Sequence, residues 1–203
     1  MLRYVVLMLV TLMAGAAAKA DTAVFAGGCF WCVEANFEGV SGVQDVISGY
    51  TGGTSANPTY DNHDGHYEAV QITFDPGKVS YDSLVAAFLR STDVTDAGGQ
   101  FCDRGDSYRS AIFAAGAAQT TSAKAAVAAA QIALGAAVVT PVLPAARFWR
   151  AEDYHQDYYK GTGLVLTRAG PKQQKNAYNF YREGCGRDSR IKALWGNQAM
   201  FLH

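Results

Sequence analysis

Gly27-Gly28-Cys29-Phe30-Trp31-Cys32-Val33-Glu34 is the stretch of this chain whose residue types and spacing can do chemistry. A short apolar strand pattern, Thr22 to Ala26, leads into it. From Cys29 to Glu38 the apolar spacing becomes helical, with Phe30, Val33 and Phe37 on or near one face. A thiol at such a junction sits among backbone N–H groups that lack intrahelical partners, at the positive end of the helix dipole. Both effects lower its pKa and raise the thiolate fraction at neutral pH. The two glycines allow a tight turn and close approach by a substrate. Phe30 and Trp31 place an aromatic wall against the sulfur, suited to a small apolar group. The inert alternatives are a buried structural thiol or a plain Cys29–Cys32 disulfide.

The elements that must position this segment read as strand and helix mixed. Val40 to Tyr50 is expected as a return strand, followed by the loop Tyr50-Thr51-Gly52-Gly53-Thr54-Ser55 and turn chemistry at Asn57-Pro58. Tyr67 to Phe74 alternates apolar and polar residues, the pattern of a half-buried strand, and Asp75-Pro76-Gly77 ends it. Ser80 to Arg90 has helical period, with Ser80 as N-cap. A Gly- and Asp-rich loop covers 93–106, and a strand is expected at Tyr108 to Ala114. The Ala-rich stretch Thr121 to Leu134 reads as a helix without chemistry. A further strand is expected at Ala137 to Pro141, a short helix at Ala151 to Lys160, and from Gly161 onward a C-terminal tail packed over the domain. No internal repeat or linker divides the chain, and this element order fits an α+β sandwich better than a doubly wound sheet.

Gly28-Cys29-Phe30-Trp31 with Glu34 resembles the signature of the peptide methionine sulfoxide reductase A family. Further blocks match it in order: Gly49-Tyr50-Thr51-Gly52-Gly53, Asn57-Pro58-Thr59-Tyr60, Gly65-His66-Tyr67-Glu68, then Asp103, Gly105 and Tyr108-Arg109-Ser110-Ala111, and finally Ala151-Glu152-Asp153-Tyr154-His155-Gln156. The likeness spans residues 23–160. The chain departs from the family pattern at Asp64, at Ser91 to Asp96 and at Asp106-Ser107, which touches substrate contacts around Asp103 rather than the reaction class.

The resemblance implies a two-layer α+β sandwich with a ferredoxin-like core, long loops and a C-terminal tail. It also implies a reaction. Cys29 attacks the sulfur of a methionine sulfoxide, in an oxidised protein or as the free amino acid, and becomes a sulfenic acid. Glu68 supplies the proton that the sulfoxide oxygen requires, for which it needs a raised pKa. Tyr60 and Tyr108 donate hydrogen bonds to that oxygen. Phe30 and Trp31 hold the methyl group and so select the S epimer, and Asp103 takes the substrate main-chain N–H. Read without the family, Glu68 would be a solvated residue on an edge strand, Tyr60 a surface residue beside a turn and Glu34 a helix-surface or capping carboxylate.

A second thiol must then condense with the sulfenic acid. Cys185, flanked by Gly184 and Gly186 in a tail expected to be mobile, resembles the family's recycling cysteine and is expected to resolve it. Cys32 is the alternative, near in sequence but on a helix that would have to loosen. Cys102 ranks last. A thioredoxin-like reductant would return the electrons, and no cofactor or metal is expected: His63, His66 and His155 are not grouped with cysteines at zinc spacing. Two rival readings are a thioredoxin-like oxidoreductase built on the Cys29-x-x-Cys32 motif, which leaves Glu68, Tyr60 and Tyr108 without work, and an exported binding domain with two structural disulfides.

Composition limits the remaining possibilities. The 203 residues suit one domain or a small pair, and 49% hydrophobic against 17% charged residues can fill a core. Seventeen Lys and Arg against 18 Asp and Glu leave no basic excess for nucleic acid. Arg3, an apolar run from Tyr4 to Ala18 and the small-x-small end Ala18-Lys19-Ala20 read as a secretory signal over residues 1–20, leaving 21–203 as the domain. The mature protein is then expected to be periplasmic or extracellular, without stable membrane insertion. Its cysteines would sit in an oxidising compartment.

Overall fold

The computed structural model describes residues 20–203; the expected signal segment lies outside them, apart from its last residue, Ala20. Ten strands and five α-helices follow in chain order: β1 Asp21–Gly27, α1 Phe30–Phe37, β2 Val43–Thr51, β3 Tyr67–Phe74, α2 Tyr81–Leu89, β4 Gly99–Gln100, β5 Asp103–Arg104, β6 Ser110–Ala114, α3 Gly116–Leu134, β7 Val142–Pro144, β8 Trp149–Arg150, β9 Leu164–Thr167, β10 Gly170–Gln173, α4 Gln174–Gly184 and α5 Arg187–Trp195. Six strands form one sheet in the order β7-β6-β1-β3-β2-β8, antiparallel throughout except where β7 lies parallel to β6. The fold is α+β, with a mostly antiparallel sheet.

Alternation along the strands assigns the two faces. Ala23 and Phe25 of β1, Val70, Ile72 and Phe74 of β3 and Ile112 of β6 join Phe30, Val33 and Phe37 of α1 and Leu84, Val85 and Phe88 of α2 in the main core. Phe25 stacks on Phe88 at 4.8 Å between ring centroids, so sheet and helix layers meet through aromatic contact. The opposite face carries the smaller group Ala26, Ala69, Ala111 and Phe113, over which Leu143 and Phe148 pack. The β3 strand lies between β1 and β2, so both of its edges are paired. Glu68, two residues before Val70, therefore projects into the helix-covered core rather than from a sheet edge.

Ser80 caps α2, its hydroxyl accepting from the Ser83 N–H at 3.1 Å, while α3 starts at Gly116, ahead of the expected Thr121, and ends at Gly135 in the left-handed region. Three expectations need correction. The strand expected at 137–141 lies at Val142–Pro144, because Pro141 has no N–H to give a ladder and pairs only through its carbonyl, which accepts from the Ile112 N–H. The helix expected at 151–160 is two single 3₁₀ turns, 153–155 and 158–160, separated by Asp157 at φ +55°; the Asp157 N–H bonds to a side chain instead of a helical carbonyl. The C-terminal tail is structured: a hairpin of β9 and β10, then α4 and α5. Ala177 and Tyr178 of α4 are buried against Cys32 and Tyr158.

Candidate active site

Strand β1 ends at Gly27, and Gly28 turns the chain at φ +80° into α1, where Cys29 is the N-cap residue. A side chain at Gly28 would put a Cβ 2.5 Å from Cβ of the buried Gln100, so only glycine fits this turn. The turn delivers Phe30 to the end of β3, and the Phe30 N–H donates to Oε2 of Glu68 at 3.1 Å. One of the orphan donors of α1 is thus satisfied by a carboxyl that is 2% exposed. Burial raises the Glu68 pKa to about 8, the neighbouring Asp103 and Cys32 adding to the shift and the Phe30 N–H and Tyr108 hydroxyl opposing it. At neutral pH Glu68 is therefore a proton donor.

Cys29 and Cys32 are free thiols hydrogen-bonded to each other, Cys29 half-buried and Cys32 buried. They share one ionisation. The hydrogen bond from Cys29 and the Arg187 and Arg182 guanidinium groups, against burial, bring Cys32 down to about 6. The Cys32 partner, burial and the carboxyls of Glu68 and Asp103 hold Cys29 above the ordinary thiol range. The helix start alone therefore does not set the Cys29 pKa: the two thiols ionise as a pair, with the arginines beside Cys32 favouring the thiolate and burial and the carboxyls beside Cys29 opposing it.

The remaining expected residues gather around this pair. Trp31, Tyr60 and Asp103 line a cavity of about 440 Å³ together with Cys29 and Cys32. Trp31 stacks flat on Tyr158 at 3.6 Å, and its Nε1–H donates to Nδ1 of His155 at 3.1 Å. Phe30 is placed differently: it is buried under the floor, against Tyr50 and His155, so the open apolar wall is Trp31. Tyr60 is 39% exposed, rests its ring on His155 at 4.6 Å and donates its N–H to Glu152 Oε1 at 2.9 Å. Tyr108 lies within electrostatic reach of Glu68, Tyr60 and Cys29; burial, then Glu68, raises both tyrosine pKa values, which keeps the hydroxyls protonated as donors. Burial also raises Asp103, while Arg187 pulls it down.

Cys185 is joined to Cys102 by a disulfide, Cα atoms 5.2 Å apart, in the turn between α4 and α5. The expected mobile tail thiol is thus a fixed half-cystine, and both sulfurs line the cavity that holds Cys29 and Cys32.

The sequence assigned no site role to several further contributors. Glu34 is not on the helix surface: it is 1% exposed and accepts from the Ser48 hydroxyl and the Asp157 N–H, each at 3.0 Å. Burial lifts it to about 7 against those two donors. Glu152 accepts from the Tyr50 hydroxyl at 3.1 Å as well as from Tyr60. His155, lowered to about 4 mainly by burial, is neutral; because Nδ1 accepts from Trp31, the ring proton is on Nε2, 4.0 Å from Glu152 Oε2. Arg187 reaches back from α5 to donate to the Gly27 carbonyl at 3.2 Å. No separation along the chain announces that contact. Among the described residues no group of His, Cys, Asp and Glu is arranged to hold a metal ion.

A thiol pair next to a buried, protonated carboxyl, with two phenol groups nearby and an aromatic wall, is an arrangement suited to thiol-dependent chemistry on a small substrate. Residues 21–189 match the family described as peptide methionine sulfoxide reductase. Peptide methionine sulfoxide reductase MsrA 2 of Rhizobium meliloti is 48% identical over 190 residues, 93% of this chain and 90% of that protein. MsrA 2 of Caulobacter vibrioides is 48% identical over 185 residues, covering 89% and 88%. Among solved structures, methionine sulfoxide reductase A of Corynebacterium diphtheriae superposes with a TM-score of 0.66 at 30% identity, covering 80% of this chain and 87% of that one. The chain belongs to the peptide methionine sulfoxide reductase family, oxidoreductases that reduce methionine sulfoxide.

Proposed function

We propose that this chain reduces the S epimer of methionine sulfoxide, in oxidised proteins and as the free amino acid, with Cys29 as nucleophile and Glu68 as proton donor. The observation that carries the reading is the Glu68 carboxyl, buried and protonated, bonded to the first amide after Cys29. The thiol pair has lost one proton near neutral pH, and proton exchange within the Cys29–Cys32 hydrogen bond presents Cys29 as thiolate to the sulfoxide sulfur. Glu68 protonates the oxygen, which Tyr60 and Tyr108 polarise, while Trp31 holds the methyl group over Phe30 and Asp103 takes a substrate N–H. The products are the thioether and Cys29 sulfenic acid.

Cys32 then condenses with the sulfenic acid, releasing water and forming a Cys29–Cys32 disulfide. This choice departs from Cys185 on two grounds. Cys185 is already bonded to Cys102. Cys29 is a cap residue at ψ 118°, outside the helix, so its sulfur can meet Cys32 without unwinding α1. A dithiol reductant of thioredoxin type is the chemistry that such a disulfide requires. The yeast relative Mxr1 has been solved in complex with Trx2, a fact about that protein.

Two coarser features complete the proposal. The run β1-α1-β2-β3-α2-β6 with spatial order β6-β1-β3-β2 supports a ferredoxin-like core. Arg3, the apolar run and Ala18-Lys19-Ala20 support an export signal over 1–20, with 21–203 as the periplasmic or extracellular domain.

The test is turnover of a methionine sulfoxide peptide by protein reduced with dithiothreitol. The wild-type chain forms methionine and Cys29→Ser forms none while keeping its far-UV and thermal unfolding profile. Near-normal turnover by Cys29→Ser would overturn the assignment, and reduction of insulin without sulfoxide turnover would favour a thioredoxin-like oxidoreductase.

A further inference from the structure

The hairpin of β9 and β10 holds two leucines in solvent beside the active-site cavity. Leu164 is 78% and Leu166 84% exposed, while Val165 between them packs inward on the group of Cys32, Tyr158 and Tyr178. Alternation thus turns one face of β9 to the molecule and leaves an apolar face open. Leu166 and the turn residue Arg168 line the same cavity as Cys29; among the described residues, β10 contributes none of its lining.

The two outer edges of this hairpin are unlike. Thr167 lies opposite Gly170, Leu166 opposite Pro171, Val165 opposite Lys172 and Leu164 opposite Gln173. Pro171 has no N–H, so Leu166–Pro171 is a non-bonded pair, and such pairs alternate with bonded ones. The Gln174 N–H, donating to the Gly163 carbonyl at 2.9 Å, marks the bonded pair beyond Leu164–Gln173 and fixes the same phase. Leu164, Leu166 and Pro171 therefore point their backbone groups away from the partner strand. On β10 that outer edge is blunted by the proline. On β9 it offers the N–H and C=O of both leucines, and the two-stranded sheet has no further strand to take them.

We propose that β9 is a docking strand for polypeptide substrates: residues flanking a methionine sulfoxide lie along it as an added strand, with apolar side chains on Leu164 and Leu166 and an acidic one on Arg168. The proposal rests on the reading of Cys29 given above and adds the form in which a protein substrate is taken, an extended segment. Charge supports an acidic neighbour. From Tyr158 to Arg182 the sequence has Lys160, Arg168, Lys172, Lys175 and Arg182 and no Asp or Glu, in a chain of net charge -1. Lys160 is engaged by Glu38 and Asp157, and Arg182 by Asp188. Arg168 stands exposed at the turn, in no ion pair among the described residues. Continuity favours substrate over a second copy of the chain: the open edge runs into the cavity that must receive the oxidised side chain, so one segment fills both.

Two substrates test this: N-acetyl-methionine sulfoxide amide, which brings no flanking residues, and a longer peptide with valines and an aspartate around its methionine sulfoxide. Leu164→Pro removes one outward N–H and one apolar side chain at the first residue of β9, where no hairpin bond is lost. It should lower kcat/KM for the peptide about tenfold, through KM, and leave the small substrate unchanged. Leu164→Asp keeps the backbone donor and supplies the same comparison where proline disturbs the fold. Arg168→Glu should turn the preference for the aspartate peptide into one for its lysine counterpart. Peptide kinetics unchanged in the Leu164 variants would overturn the proposal. So would a rise in KM for the reductant alone, or a wild-type dimer that Leu164→Pro dissociates. No turnover of the small substrate by the wild-type chain would instead overturn the underlying reading of Cys29.

Discussion

Glu68 differs from an ordinary surface acid because its burial favours the neutral form. Its pKa moves from 4.5 to about 8 on folding, so between those values the folded state holds a proton that the unfolded state has lost. Stability therefore falls as pH rises through that window, and is fully present only below it. The same shift shapes catalysis. Single-turnover sulfoxide reduction should rise as the thiol pair ionises near pH 6 and fall again as Glu68 loses its proton near pH 8. Rapid-quench rates across pH 5–9 test this. Glu68→Gln should be slower by about 10²–10⁴-fold, the usual range for general acid catalysis, and should lack the falling limb near pH 8. An unchanged limb would assign it to another group. Tyr60→Phe and Tyr108→Phe should each slow the first step less than their combination does, because either hydroxyl can partly hold the oxygen. A double-mutant cycle showing strict additivity would remove the shared acceptor.

Helix α1 carries the proposed nucleophile, Cys29, at its start and its anchor, Glu34, further along. Glu34 ties the helix to β2 through Ser48 and to the 151–160 segment through Asp157. Gln156 strengthens that junction, its Oε1 accepting from the Ser48 N–H and its Nε2–H donating to the Ser48 carbonyl, each at 3.0 Å. The clamped segment presents His155 and Tyr158 to the two sides of Trp31. Glu34→Ala should leave the Ser48 hydroxyl and the Asp157 N–H without partners, costing about 1–3 kcal/mol for each group that water cannot reach. Thermal unfolding measures that loss. Because the wall behind Trp31 loosens, KM for a sulfoxide peptide should also rise more than kcat falls. A destabilised variant with unchanged KM would limit Glu34 to holding the fold.

At the scale of the whole molecule, the C-terminal third closes the site that the sheet and α1 open. Arg182 and Arg187 come from α4 and α5, yet they are buried beside the thiol pair; Arg182 also donates to Asn36 of α1 at 3.3 Å and to the Phe201 carbonyl at 2.7 Å. Two buried guanidinium groups are tolerable there because each finds carbonyl, hydroxyl or carboxylate acceptors, and because a thiolate lies nearby. The expected export has a whole-chain consequence: loss of residues 1–20 removes Arg3 and Lys19 and no acid, taking the net charge from -1 to -3. Intact-mass measurement of protein taken from the exporting cell's outer compartment should show Asp21 as the first residue. A Met1 start on membrane-bound material would establish an uncleaved anchor.

Local signals alone determined much of this protein. Period and turn chemistry sufficed for β3 at Tyr67–Phe74 and for α2 behind its Ser80 cap, since those patterns are set by neighbours in the chain. The glycine pair before Cys29 and the ordered blocks after it pointed to the family and its reaction. What the tertiary structure decided were quantities that depend on what lies across space. Alternation along β3 could not tell an edge from a centre; β3 lies between β1 and β2, and Glu68 is turned inward to 2% exposure beside the start of α1. Glu34 has the spacing of a helix-surface carboxylate until β2 and the Asp157 loop cover it. The partner of Cys185 was unreadable because Cys102 lies 83 residues earlier, and no rule of sequence selects one pairing among four thiols. The ionisation of the thiol pair was equally hidden. Beside the contact between the two thiols, it depends on two arginines that reach Cys32 only because α4 and α5 fold back over the cavity.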